Sequence, residues 1–168
     1  MSIVAVDSAR RRLRFGTMDV NCAIGKGGLC AAADKHEGDG CTPSGSWPVR
    51  GALLRRDRLM LDVLPALPWR WTRPGDGWSD GRGDPEYNRP VRLPHGYSAE
   101  TLQREDEAYD VIVVLGHNDA PPVPGAGSAI FFHCWVEARP TEGCVAIAKA
   151  DMLALLPMLR SDTVMVIR

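Results

Sequence analysis

Apolar and polar residues alternate along much of this chain with the period of two that marks strands. Residues 2–6 and Arg12–Phe15 alternate on either side of Asp7-Ser8-Ala9 and predict a hairpin. Residues 18–24 predict a third strand, ended by Gly25-Lys26-Gly27-Gly28. Residues 37–45 are dense in turn formers, and 46–54 resume an extended pattern. The stretch 65–97 carries Trp69, Trp71, Trp78, Tyr87 and Tyr97 among many Gly, Pro and charged residues. It is too aromatic for a disordered linker and too broken for regular elements. It reads as a long ordered loop packed on the sheet and placed to cover a site. Residues 98–107 predict a short helix with Ser98 as its N-cap. Residues 109–116 are the clearest strand, a β-branched run that implies burial on both faces. After a Pro/Gly loop at 121–127, residues 128–133 form a second buried strand that ends on a histidine. Val145–Ile147 is short and extended, 149–160 space Met152, Leu155, Leu156 and Leu159 as one face of a helix, and 163–167 form a last strand. Many strands, one or two flanking helices and no repeats make the fold mainly β, a sandwich or barrel with long loops.

A chain of 168 residues fits one domain spanning 1–168, long enough to bury a core without metals or disulfides as staples. The formal net charge of -1 offers no basic field for nucleic acid, and the aromatic stretch lacks the basic groove that base stacking needs. Arg10-Arg11-Arg12 with Arg14 reads as a solvated turn or strand edge. No run approaches the roughly 18 apolar residues of a membrane helix, so no transmembrane segment is expected. The start of the chain lacks the features of a secretory signal. The glycine cluster at 25–28 lacks the full P-loop sequence and reads as a tight turn. Nothing in the sequence calls for a cofactor or a metal.

Five cysteines, Cys22, Cys30, Cys41, Cys134 and Cys144, are an odd count, so at least one thiol remains outside any internal pairing. Cys30 and Cys41 can pair in an oxidising compartment. A zinc site from Cys30, His36 and Cys41 is the alternative. Cys22 and Cys134 read as small buried hydrophobes.

Two residues point to chemistry. His133 ends a strand, and Cys144 follows Gly143 in Pro140-Thr141-Glu142-Gly143-Cys144-Val145. A thiol attacks as the thiolate, and an imidazole that takes its proton leaves a nucleophilic ion pair. The intervening loop is long enough to fold the cysteine back against the histidine's strand. Gly143 lets a substrate carbonyl approach, so that the Gly143 and Cys144 N–H groups can hold an oxyanion. A main-chain carbonyl suffices to orient the other imidazole nitrogen. His117-Asn118-Asp119 follows the best strand and is placed either to line the cleft or to form a polar turn.

These residues resemble the YkuD-type L,D-transpeptidase family, whose signature is a histidine followed by a loop ending in Ser/Thr-x-Gly-Cys and an apolar residue. The match is Phe132-His133, then Thr141-Glu142-Gly143-Cys144-Val145, with Thr42-Pro43-Ser44-Gly45 upstream similar to the family's Thr-Pro-x-Gly. Tyr87-Asn88-Arg89 and Gly125-Ala126-Gly127-Ser128-Ala129-Ile130-Phe131 are similar to a compact proteobacterial branch. The resemblance implies a periplasmic β-sandwich enzyme and a carbapenem target. Cys144 would form a thioester with a peptidoglycan stem peptide next to meso-diaminopimelate, and an amine acceptor would take over the acyl group. Ala146, Glu142 and the likeness to the compact branch point to an L-Ala terminus as that acceptor, in a 1,3-type cross-link. It makes His133 the base, oriented by a main-chain carbonyl such as that of Cys134. Substrate contacts would come from Thr141, Glu142, Tyr87, Asn88, Arg89, His117 and Asn118. The chain departs from the commoner pattern at Glu142, usually histidine, at Ala146, often arginine or asparagine, and in a shorter loop between histidine and cysteine. A hydrolase with the same Cys–His pair, or a non-catalytic glycan- or peptide-binding sandwich, are the rival readings. The sequence leaves the oligomeric state open.

Overall fold

The computed structural model describes all 168 residues. The elements run β1 (Ile3–Asp7), β2 (Arg12–Phe15), β3 (Met18–Asn21), β4 (Leu29–Cys30), β5 (Thr42–Pro43), β6 (Gly45–Leu54), β7 (Trp69–Trp71), β8 (Asp76–Ser79), β9 (Pro90–Arg92), β10 (Ala99–Thr101), β11 (Val111–Leu115), β12 (Phe131–Cys134), β13 (Val145–Ile147), α1 (Lys149–Leu155) and β14 (Val164–Ile167). The main sheet has the order β13-β12-β11-β6-β14-β1-β2-β3, with β7 alongside β6. Beyond β3, Ala23 pairs antiparallel with Ala146 of β13 through two backbone hydrogen bonds of 2.7 and 2.9 Å. The two edges of the sheet therefore meet, and the sheet curls into a nearly closed barrel, which leaves few backbone groups open for foreign pairing.

Strand β6 makes the corner. Residues 45–48 pair with β14 and 49–54 with β11, and the register slips where Leu115 faces Val49. Such a slip bends a strand and lets it serve two sections of sheet. The interior holds Val4, Leu13, Leu54, Val111, Val113, Phe132, Val145 and Ile147. Helix α1 closes one end. Met152, Leu155, Leu156 and Leu159 all reach zero exposure, as their helical spacing predicts, although the helix passes into a 3₁₀ turn at Leu156–Met158, where Pro157 enters.

Two expectations fail. Residues 98–107 contain strand β10 in place of a helix. Its backbone pairs with β8, Glu100 lying opposite Trp78, and Leu102 is fully buried in a second cluster. Cross-strand pairing and one buried leucine outweigh the weak intrinsic preference of a short polar helix. The stretch 65–97 holds β7, β8 and β9 where a loop was expected, and β10-β8-β9 form a small sheet. It packs on the outer face of β11 and β12, where Trp78, Leu102 and Tyr109 meet Ile112 and Phe131. That cover explains why β11 is buried on both sides. His95 sits on the Asp84 carboxylate at 2.6 Å, within this covering layer.

Cys30 and Cys41 form a disulfide, which removes both sulfurs as thiolate ligands for the alternative zinc site. Cys22 and Cys134 are buried, free thiols. The bridge ties β4 to the residue before β5. Closing a loop of this length stabilises a fold by about 3 kcal/mol on the chain-entropy account. Replacing both cysteines by serine should lower the unfolding free energy by roughly 2–3 kcal/mol in a urea titration; an unchanged value would show that the bridge does not form in solution.

Candidate active site

Strand parity places the site. In β12 the side chains of Phe132 and Cys134 enter the barrel, so those of Phe131 and His133 point outward. β13 runs parallel to β12 with Phe132 opposite Val145 and His133 opposite Ala146. Cys144, two residues before Ala146, therefore shares the outer face with His133 as its diagonal neighbour. Both line a single cleft of about 520 Å³ between the main sheet and the covering layer.

The thiol is held on two sides. The Phe131 N–H donates to Cys144 Sγ at 3.3 Å, and Sγ–H donates to the Ala129 carbonyl at 3.2 Å. His133 Nδ1 lies 2.6 Å from the Cys134 carbonyl, so the proton sits on Nδ1 and Nε2 keeps its lone pair. The imidazole stands edge-on to Tyr109, with centroids 5.2 Å apart. Tyr109 is fixed in turn by its hydroxyl, which donates to Glu100 at 2.6 Å, and by the Arg104 guanidinium 5.3 Å over its ring.

Burial decides the charges. It pushes the Cys144 thiol up to about 12, although the Phe131 N–H and the Lys35 cation pull the other way. Burial also draws His133 down to about 4. Burial thus favours the uncharged form of both groups over the expected ion pair, because a thiolate and an imidazolium both lose water there.

The Cys144 loop is clamped from below. The Cys144 carbonyl accepts from the Thr141 hydroxyl at 2.7 Å and from the fully buried Thr42 hydroxyl at 3.2 Å, and Thr42 Oγ1 accepts from the Gly25 N–H at 2.8 Å. A Cβ on Gly25 would stand 2.2 Å from the Gly40 carbonyl oxygen and 3.0 Å from the Gly143 Cα. Gly25 thus packs backbone to backbone beneath the Cys144 loop. Gly143 has φ +139 and lies against the Cys41 carbonyl, so it too admits no side chain. Its N–H donates to Thr141 Oγ1 at 3.1 Å, which departs from its expected place as a free oxyanion donor.

Thr141 and Glu142 stand in the cleft wall; Glu142 is largely exposed and paired with Lys26 at 2.8 Å. The other expected substrate contacts lie outside it and shape it from behind. Asn88 accepts from the Trp78 indole at 2.8 Å and from the Ala129 N–H at 3.0 Å, and donates to the Asn118 carbonyl at 2.7 Å. Asn118 donates to the Gly127 carbonyl at 2.9 Å. Tyr87 donates to Glu37 at 2.5 Å, and Arg89 to the Asp119 carbonyl at 2.7 Å. His117 is buried against Trp47. Asn88 and Asn118 are drawn inward because a loop that carries Ala129 to the thiol must satisfy its own buried polar groups, whereas the buried His117 Nδ1 finds no hydrogen-bond partner. Lys35, Glu37, Ser128 and Tyr109 line the cleft and escaped the sequence reading. Only the Lys35…Asp39 spacing hinted at a local pair.

Residues 2–167 match the family model YkuD, the L,D-transpeptidase catalytic domain. The chain belongs to this family. No curated protein and no solved structure matches it. Against the YkuD signature, the Thr-Pro segment (Thr42-Pro43) and the Thr-x-Gly-Cys segment are one physical unit here, joined through the Thr42 and Thr141 hydroxyls on the Cys144 carbonyl.

The two buried histidines set a pH dependence. His133 and His117 are both drawn by burial from 6.5 to about 4. Between these values the unfolded chain binds more protons than the fold, so stability rises with pH across that window and is lost as pH falls through it. The slope is at most about 1.4 kcal/mol per pH unit for each histidine. Urea titrations from pH 4 to 7 should show this rise, and His117→Asn should make it shallower. An unchanged slope would show that His117 is charged within the fold.

Proposed function

We propose that the protein is a periplasmic peptidoglycan L,D-transpeptidase with Cys144 as nucleophile and His133 as general base. The observation that carries this reading is the shared outer face of β12 and β13, which presents an Nε2 lone pair and a thiol in one cleft. Cys144 Sγ attacks the carbonyl at the L-centre of meso-diaminopimelate in a donor stem peptide while His133 Nε2 takes the thiol proton. Since burial favours the uncharged form of both groups, proton transfer accompanies attack. The C–N bond then breaks, and the departing D-residue amine leaves with the proton from His133. An acceptor amine attacks the thioester, gives a proton back through His133 to sulfur, and forms the cross-link.

The acceptor reading follows from the charge of the cleft. The carboxyl side chains of Glu37, Asp80, Glu100, Asp106 and Glu142 line it against the cations Lys35, Arg104 and Arg139, so acidic groups outnumber basic ones. Such a wall favours an ammonium group and disfavours an amine that carries its own carboxylate. The α-amine of an L-Ala stem terminus satisfies this, and the product is then a 1,3-type link between L-Ala and diaminopimelate.

Cys144→Ala should abolish dimer formation from purified muropeptides, read by mass spectrometry, with an unchanged circular dichroism spectrum. Wild-type turnover in that variant would remove Cys144 from its role. His133→Ala should slow the reaction by roughly 10²–10⁴-fold. Trimmed monomers in place of dimers would assign the same Cys–His pair to a hydrolase. A carbapenem should add once per chain and not to Cys144→Ala, as intact mass will show.

Fragmentation of the dimers tests the acceptor separately. L-Ala to diaminopimelate bonds are expected. Only diaminopimelate-to-diaminopimelate bonds would overturn the 1,3 assignment and leave the nucleophile standing.

A further inference from the structure

Lys35 is an ammonium group buried next to the nucleophile loop. Its side chain is 3% exposed and is ion-paired with Asp39, itself 9% exposed. Asp39 is locked by the His36 and Cys41 N–H groups at 2.8 and 2.9 Å, and Cys41 is held by the disulfide. Lys35 Nζ also donates to the His36 carbonyl at 3.3 Å. The alkyl chain passes beside Gly127, where a Cβ would stand 3.0 Å from it, so this glycine leaves the lysine its channel. The ammonium then emerges into the cleft, 3.4 Å from where a Cβ on Gly143 would lie. A buried cation with two acceptors filled has one N–H left for a ligand.

A thioester-forming site needs two donors for the oxyanion, and the Gly143 N–H is occupied by Thr141. The Cys144 N–H, one peptide away, donates to no group of the protein. We infer that Lys35 Nζ and the Cys144 N–H together form the oxyanion site, which makes Lys35 a catalytic residue of the acyl transfer proposed above, on which this inference rests. As the Sγ–C bond forms, the carbonyl π pair moves onto oxygen. The resulting oxyanion lies between the ammonium and the backbone N–H. It collapses when the C–N bond breaks and the amine leaves with the His133 proton. Lys35 keeps its own proton throughout. Asp39 is its positioning residue.

The test separates acylation from thiol reactivity. Iodoacetamide alkylates Cys144 without an oxyanion, whereas p-nitrophenyl acetate acylates it through one and needs no stem peptide. Lys35→Met should lower the acylation rate by roughly 10²–10³-fold, while alkylation changes by less than about tenfold. Equal losses in both reactions, or no loss of acylation, would overturn the assignment. Because Lys35→Met leaves Asp39 unpaired, Lys35→Met/Asp39→Asn is measured beside it, with melting curves for each. A crystal structure of the wild type with a small peptide aldehyde on Cys144 decides the matter without any variant. The hemithioacetal oxygen should lie about 3 Å from Lys35 Nζ. An oxygen bonded to the Gly143 N–H, with Thr141 turned away, would overturn it. Loss of acylation in Lys35→Met alongside a wild type that leaves every stem peptide unchanged would sustain the oxyanion site and sink the transpeptidase reading.

Discussion

The parallel pairing of β12 with β13 is the constraint on which the site depends. Parallel neighbours in register point their side chains to the same side, so Phe132 opposite Val145 commits both to the barrel interior and sends His133 and Cys144 outward together. A slip of one residue on either strand would bury one of the two in the core and destroy the site. The interior packing that pins the register is therefore also what aligns the chemistry. Fully buried Phe132, Val145 and Ile147 hold it in place.

The covering layer converts an outer sheet face into a cleft. Trp78, Leu102 and Tyr109 form a second apolar cluster with Ile112, Phe131 and Cys144, and that cluster excludes water from the thiol and the imidazole. Exclusion has a cost in charge. Burial favours the uncharged form of both groups, and fixed dipoles and a cation stand around them. The Phe131 N–H, the Cys134 carbonyl and the Lys35 ammonium are such groups, each held by the backbone or by a buried partner.

The segment from Gly25 to Pro43 supports the Cys144 loop. The Thr42 hydroxyl on the Cys144 carbonyl, Gly25 packed against Gly143 and the Cys30–Cys41 disulfide hold that loop from below. They explain why Thr42, Gly25 and Cys41 belong to the same device as Cys144 although about a hundred residues separate them in the chain.

Local pattern alone determined the strands at both ends of the chain, the doubly buried β11, the helix face of Met152, Leu155, Leu156 and Leu159, and the family, and it named Cys144 and His133, which the fold brings into one cleft. Each of these is written in spacing or in a short motif, and period-two or period-3.6 burial leaves that record in one segment. What tertiary structure decided lies between segments. Ala99–Thr101 became a strand because β8 offered it an edge, and 65–97 gained strands by pairing across loops. Asn88 and Asn118 turned inward to hold the loop at Gly127–Ala129, since a buried loop must satisfy its polar groups wherever partners exist. Lys35 looked like one more charge in a polar loop. Only the approach of the 35–41 segment to Gly143 buries it, and burial is a property of the assembled fold that no local pattern of charges can express.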